Sequence, residues 1–256
     1  MPAKRVIPCL DVKAGRVVKG IQFQNLRNLG SPVELAQRYD SEGADEVVFL
    51  DISATEEGRS TQEVWVRQVA RELTIPFAVG GGVSKPEDFT RLLRNGADKV
   101  AVNTAAVRNP GLVQAAAALV GSQCVVAAVD VKRDQECGWR VFIKGGKEAT
   151  NLSALPWLRR LQELGAGEIL LTSMDRDGTL SGFDLELLRG AAKLDIPVIA
   201  SGGAGTELHF LEALEAGVDA VLAATLFHEG TLPIMQLKKY LSERGQLMRL
   251  EGPCKR

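Results

Sequence analysis

The feature that most constrains how this chain folds is an internal repeat. The segment 76–82 (PFAVGGG) resembles 197–203 (PVIASGG), and the segment 11–13 (DVK) recurs at 130–132 (DVK). Both matches join positions that lie about 120 residues apart. Because self-similarity at a fixed separation indicates a fold assembled from repeated units, we expect two related halves in one chain.

Short apolar runs alternate with longer amphipathic stretches, and each run has the length of one β-strand. The eight strand candidates are 6–10, 46–50, 77–79, 99–102, 125–129, 168–171, 198–200 and 220–223. Helix signals lie between them: one amphipathic stretch begins at Pro32 and ends before Gly43, and another begins at Pro86. Strands that alternate with helices predict a parallel sheet, because parallel neighbours need a crossover connection.

An open, doubly wound sheet is the alternative to a closed barrel. Two similar four-strand halves each leave exposed sheet edges, and closing them on one another removes those edges. We therefore predict a single (β/α)8 TIM barrel domain over 1–256, with half-repeats at about 1–120 and 121–245. Long connections after the first and fifth strands, at 12–30 and 132–150, are candidate lids, and the second contains a possible hairpin.

Composition excludes several classes of function. The chain has 31 Lys and Arg against 32 Asp and Glu, a net charge of -1, so no overall field attracts nucleic acid or a membrane surface. Its four cysteines and two histidines form no metal-binding or redox motif, and no segment resembles a signal peptide or a membrane span. We expect a cytoplasmic protein without metal or organic cofactor.

Two glycine-rich loops are candidate phosphate sites. The runs 80–82 and 201–203 follow strands at matching positions of the repeat, where glycine lets the backbone approach a ligand closely. The loops after the next strands, 103–104 and 224–225, add further donors. Two sites at one mouth predict an elongated ligand with a phosphate at each end, and Lys19 is a candidate to cover one of them.

Asp11 and Asp130 are the candidate acid and base. Each ends an apolar strand, on predicted strands one and five, so both should face the shared mouth. Helix capping or ion pairs with Lys13 and Lys132 are the structural alternative. Repetition of the aspartate at both positions favours catalysis.

Polar residues after strands two and six should also reach the mouth. They include Asp51, Thr172 and Asp177-Gly178, which we expect to orient substrate hydroxyl groups. An N-cap and turn cluster is an equally good interpretation of Asp177.

Four charged residues stand at the opposite ends of the strands. They are Arg5, Glu46, Lys99 and Glu168. Two cations and two anions there predict a neutral ring across the bottom of the barrel, acting either as a structural plug or as a gate for a small neutral molecule.

Several motifs together resemble one known family. They are IPCLDVK at 7–13, GRVVKG at 15–20, NTAAV at 103–107, GAGEILLTS at 165–173 and ASGGAG at 200–205. The chain resembles, over nearly its whole length, the cyclase-subunit family of imidazole glycerol phosphate synthase in histidine biosynthesis. The resemblance implies that ammonia and a bisphosphorylated ribulosyl-carboxamide nucleotide become imidazole glycerol phosphate and an aminoimidazole carboxamide ribotide.

The same resemblance implies roles for individual residues. The family's acid/base pair falls on Asp11 and Asp130. Its phosphate contacts fall on Gly82, Asn103 and Thr104 in one half and on Asp177, Gly178, Gly203, Ala224 and Thr225 in the other. The resemblance also implies that the ring is an ammonia gate, on the face that docks a separate glutaminase. The sister barrel isomerase of the pathway and a non-catalytic docking subunit remain alternatives.

Overall fold

The computed structural model describes residues 2–21, 24–54 and 57–251, with the side chains of 19–28 not described. The strands are β1 (Arg5–Lys13), β2 (Arg16–Ile21), β3 (Gln24–Gly30), β4 (Val47–Asp51), β5 (Phe77–Gly80), β6 (Lys99–Val102), β7 (Val125–Asp134), β8 (Gly138–Ile143), β9 (Glu148–Ser153), β10 (Glu168–Ser173), β11 (Val198–Ser201) and β12 (Ala220–Ala223). The α-helices are α1 (Pro32–Ser41), α2 (Glu63–Glu72), α3 (Pro86–Arg94), α4 (Thr104–Arg108), α5 (Gly111–Val120), α6 (Ala154–Glu163), α7 (Leu185–Ala191), α8 (Glu207–Glu215), α9 (Thr225–His228) and α10 (Ile234–Glu243).

Eight of the strands form a closed parallel barrel in the order β1, β4, β5, β6, β7, β10, β11, β12. Closure is seen where Arg5 of β1 lies opposite Ala220 of β12, and where Glu168 of β10 lies opposite Val126 of β7. These are the eight apolar runs identified in the sequence. The predicted (β/α)8 barrel is thus confirmed, and the open-sheet alternative is wrong.

Alternation along the strands divides the core into two layers. One set of side chains fills the inside of the barrel: Ile7, Cys9, Val48, Ala78, Ala101, Val126, Leu170, Ile199, Ala220 and Leu222. The intervening residues, such as Val6, Leu10 and Phe49, pack outward in the larger core that includes the helices. The inner layer separates the two ends of the barrel, so each end carries its own polar residues.

Two helices begin at the prolines that the sequence analysis identified as helix starts. Helix α1 begins at Pro32, and α3 begins at Pro86. The Asp88 carboxylate accepts hydrogen bonds from the backbone N–H groups of Ser84 and Lys85, which satisfies donors at the start of α3. In both helices proline suits the first turn, because its missing N–H would have no helical partner there.

The two long connections contain strands beyond the barrel. The first, expected only as a long loop, contains β2 and β3, which pair antiparallel beside the end of β1. The second contains β8, antiparallel to an extended β7, and then β9. Both excursions follow barrel strands and therefore rise from the C-terminal face. Within the described ranges, none of the helices has the length and apolar character needed to cross a bilayer.

Candidate active site

A cavity of about 650 Å³ opens at the C-terminal ends of the barrel strands. Its wall contains Asp11, Asp130 and all but one of the residues predicted to bind substrate: Gly82, Asn103, Thr104, Asp177, Gly178, Gly203, Ala224 and Thr225. The exception is Lys19, whose side chain lies outside the described residues. The barrel therefore brings together side chains that are far apart in sequence.

The two glycine loops have the same tight geometry on opposite halves of the repeat. Gly82 has φ +63°, and a Cβ atom there would lie 2.2 Å from the Arg59 carbonyl oxygen. Gly203 has φ +106°, and its Cβ would lie 2.2 Å from the Gly182 carbonyl oxygen. Only glycine fits both the left-handed conformation and the space. Each loop thus exposes backbone close to the cavity.

A short helix follows each neighbouring strand and completes a seat beside each glycine loop. Asn103 precedes α4 with φ -123° and ψ -90°, and Ala224 precedes α9 with φ -119° and ψ -65°. The nearly equal angles give the two seats similar backbone shapes. We call the loop 81–82 with 103–104 the first seat, and the loop 202–203 with 224–225 the second seat.

The two aspartates occupy the cavity wall between the seats. Asp11 is buried near the end of β1, and the Cys9 thiol donates to its Oδ1 at 3.6 Å. Asp130 lies near the middle of the long strand β7, where the Asn103 Nδ2 donates to its Oδ2 at 2.8 Å. Asp11 is close enough for its charge to affect the ionisation of Asp130.

Asp130 is poised to change protonation near neutral pH. Burial, together with the charges of Asp177 and Asp11, raises the pKa of Asp130 to about 6. Hydrogen bonds from Asn103 and Thr172 lower it, because they favour the ionised form. A carboxyl group with a pKa near the working pH can both accept and donate protons during a reaction.

Arg59 is a charged residue at the mouth that sequence reasoning missed. Arg59 binds Asp51 with two hydrogen bonds, of 2.5 and 3.0 Å, and also donates to the Ser53 hydroxyl at 2.8 Å. The expected substrate-orienting residue Asp51 is therefore engaged by a guanidinium. Only the fold reveals the pair, because Arg59 belongs to an irregular loop with no strand or helix periodicity.

A second missed contact joins the hairpin to the first seat. The backbone N–H of Lys144, in the turn between β8 and β9, donates to the Thr104 Oγ1 at 2.9 Å. Lys144 has φ +54°, a left-handed conformation that is uncommon for a residue with a side chain. The adjacent glycines at 145–146 were the only sequence signal of this turn.

At the other end of the barrel, the four predicted charges form one closed ring. Arg5 contacts Glu46 at 2.6 Å and also contacts Glu168. Lys99 contacts the same two carboxylates at 2.8 and 2.7 Å. Burial raises the pKa of Glu46, although Lys99 and Arg5 lie beside it. Each cation thus bridges both anions, and the ring is neutral overall.

The fold and the cavity define a class of protein. A closed (β/α)8 barrel with a cavity at the C-terminal ends of its strands is the architecture of a barrel enzyme.

Comparison with known proteins identifies the family. The profile described as "Histidine biosynthesis protein" matches residues 5–233. A protein of Geobacillus kaustophilus named "Imidazole glycerol phosphate synthase subunit HisF" is 56% identical over 248 residues, which cover 96% of this chain and 98% of the relative. Proteins with the same name from Clostridium botulinum (strain Okra / Type B1) and Wolinella succinogenes are 56% and 54% identical, over 98% and 97% of this chain and 100% and 98% of their own. The chain belongs to the histidine biosynthesis protein family.

Proposed function

We propose that this chain is the cyclase subunit of imidazole glycerol phosphate synthase. It combines ammonia with a bisphosphorylated ribulosyl-carboxamide nucleotide and releases imidazole glycerol phosphate, an aminoimidazole carboxamide ribotide and water. The observation that carries the proposal is the position of Asp11 and Asp130 in one cavity between two glycine seats. The name shared by relatives that are 54 to 56% identical over nearly the full length supports it.

Each seat takes one phosphate, so the middle of the substrate lies between the aspartates. Backbone N–H groups around Gly82 and Gly203, with the hydroxyls of Thr104 and Thr225, supply donors without a fixed positive charge. This arrangement fits a ligand that is anionic at both ends and neutral where it reacts. Holding both ends also fixes the reacting atoms against the acid groups.

The aspartates move the protons that the reaction requires. Addition of ammonia, cleavage of the carbon–nitrogen bond and closure of the imidazole each need a proton taken from nitrogen or given to a leaving group. Asp130, with a pKa of about 6, can exist in either form at neutral pH. Asp11 supplies the second group of the pair.

We further propose that ammonia enters through the ring of Arg5, Glu46, Lys99 and Glu168. A neutral ring at the N-terminal ends of the strands is suited to a small uncharged molecule, because it offers polar contacts without a net field. A glutaminase docked on this face, forming a heterodimer, would deliver ammonia to it. No further cofactor is required by this scheme, and we place the complex in the cytoplasm.

An assay with ammonium salt tests the proposal. The purified chain is incubated with the bisphosphorylated ribulosyl substrate and ammonium chloride, and both products are measured by chromatography. We expect imidazole product that depends on ammonium and is lost in Asp11→Asn and Asp130→Asn. Conversion of the aldose precursor to the ketose without ammonia would instead support the isomerase. Stimulation of a glutaminase with no turnover of the isolated chain would support the docking subunit.

A further inference from the structure

The two acids occupy matching positions but have different neighbours. On one side, Asp11 lies opposite Leu50 of β4, whereas Asp130 lies opposite Thr172 of β10. On the other side, the adjacent strand β12 leads into Ala224, and the adjacent strand β6 leads into Asn103. On or directly after the neighbouring strands, the residues beside Asp11 are thus Leu50 and Ala224, and those beside Asp130 are Thr172 and Asn103.

The contrast between Asn103 and Ala224 is in the side chain and not in the backbone. Both residues precede a short helix with nearly equal φ angles, -123° and -119°. An alanine can therefore adopt the backbone conformation that is needed just before the short helix of a seat. The amide of Asn103 is an addition to the first seat alone, and its Nδ2 donates to the Asp130 Oδ2 at 2.8 Å.

The amide has one orientation in which it can serve Asp130. The Asn103 Oδ1 is buried and has no hydrogen-bond partner among the described residues. A reversed amide would place that oxygen against the carboxylate and remove the hydrogen bond to its ionised form. A buried oxygen without a partner is costly, so the one hydrogen bond that the amide does make, to Asp130, points to a role for this side chain.

The residue next in sequence joins this amide to the first seat. Thr104 lines the cavity, and its hydroxyl oxygen accepts from the Lys144 N–H at 2.9 Å. Accepting this bond does not use the hydroxyl proton of Thr104. That proton is available to donate to an anion in the seat. Asn103 and Thr104 are adjacent, so one short segment at the end of β6 contacts the Asp130 carboxylate and also forms part of the first seat.

We propose that Asn103 is a positioning residue whose side chain holds Asp130 in a fixed orientation and favours its ionised form, while its backbone shapes the first seat. The assignment of the seat to phosphate rests on the proposed function. The contact with Asp130 does not depend on it.

The charges around Asp130 decide the direction of the effect. Asp11 faces it from β1 and Asp177 from the loop after β10, and both favour protonation. Asn103 and Thr172 oppose them, and β8 places Phe142 opposite Asp130. Removing the Asn103 donor takes away one of the two hydrogen bonds that lower the pKa of Asp130. The burial and the two carboxylates still raise this pKa, so it must become higher.

A carboxyl titration of the whole chain tests this step without substrate. Aspartate labelled with ¹³C at Cγ is incorporated, and Asp130→Asn identifies the resonance by its loss. We expect an apparent pKa of about 6 in the unaltered chain. In Asn103→Ala it should rise by roughly one unit, the effect of losing one hydrogen bond to a charged group. Asn103→Ser, whose hydroxyl is too short to span the contact, serves as a second variant.

Thr104→Val is the matched control, because it alters the seat but leaves the amide in place. It should raise KM and leave the titration of Asp130 unchanged. Asn103→Ala should mainly lower kcat and move to higher pH the limb of the pH profile that reports Asp130. An unchanged pKa in both Asn103 variants would overturn the proposal. Absence of ammonia-dependent turnover in the unaltered chain would refute the proposed function, and the titration would still decide the role of Asn103.

Discussion

The two ends of this barrel use the same residue types for opposite purposes. At the bottom, each of Glu46 and Glu168 meets two cations, and the four charges cancel in a closed ring. At the mouth, Asp130 receives hydrogen bonds from the neutral groups of Asn103 and Thr172 while other carboxylates face it. The charge of a carboxylate that meets cations is balanced by them. A carboxylate that meets neutral donors and like charges is the one that we propose for proton transfer.

The largest expected effect comes from the acid pair at the mouth. Asp11→Asn and Asp130→Asn keep the shape of each side chain and remove its ability to exchange a proton. We expect ammonia-dependent kcat to fall by about two orders of magnitude or more in each, with KM changed little. Steady-state kinetics with ammonium chloride measures both constants. Undiminished kcat in both variants would remove the pair from catalysis.

Breaking the ring at the bottom should affect stability and the passage of ammonia, and not the proton transfers at the mouth. Lys99→Met leaves Glu46 and Glu168 with Arg5 alone. We expect a loss of about 2 to 3 kcal/mol in the free energy of unfolding, because two buried carboxylates then share one counter-charge. Urea denaturation at neutral pH measures it. Lys239→Met, at an exposed lysine on α10, is the control and should lose little.

The same variant sharpens the contrast between the two ends. Turnover with saturating ammonium should change far less in Lys99→Met than in Asp130→Asn. A loss of turnover at saturating ammonium as large as that of Asp130→Asn, with stability unchanged, would contradict the division between a ring that admits ammonia and a mouth that carries out the chemistry.

The glycine seats should have a smaller and matched effect. Gly82→Ala and Gly203→Ala each place a Cβ 2.2 Å from a carbonyl oxygen, so the loop must shift. We expect KM to rise by about tenfold, equivalent to about 1.4 kcal/mol of binding, in each variant. Gly245→Ala is the control, since its φ of +86° carries the same conformational cost and nothing lies within 4 Å. If either seat variant behaves like the control, that seat does not hold the ligand.

The smallest effect is on how stability depends on pH. The pKa of Asp130 is raised from 3.8 to about 6 in the folded protein, so folding binds a proton between these values and stability falls as pH rises through them. Asp130→Asn removes this dependence. We expect the variant to be more stable than the unaltered chain by about 1 to 2 kcal/mol at pH 8 and to gain little at pH 4. Denaturation curves at the two pH values measure the difference, and an equal difference at both would contradict it.

Much of the fold was predictable because its signals are local. An apolar run of four or five residues favours a strand wherever it lies, and the prolines at 32 and 86 begin helices through their own fixed φ. The repeat then selected a closed barrel. The polar sequence of β2 and β3 carries no such alternation, so that pair was expected only as a loop.

The site was predictable in its members but not in their contacts. Glycine runs and strand-ending aspartates mark the mouth because every βα junction lies at the same end of a parallel barrel. The hydrogen bond from Asn103 to Asp130 joins residues 27 positions apart, and the Arg59–Asp51 pair depends on the path of an irregular loop. Neither contact has a sequence spacing that predicts it.

By itself, the sequence determined the eight barrel strands, the duplicated glycine loops and which end of the barrel carries the acid groups, since each follows from the preferences of residues close together in the chain. The tertiary structure alone decided which charges cancel and which remain available for proton transfer. Ionisation depends on the groups that surround a side chain in space, and the barrel brings those groups from strands that are distant in sequence.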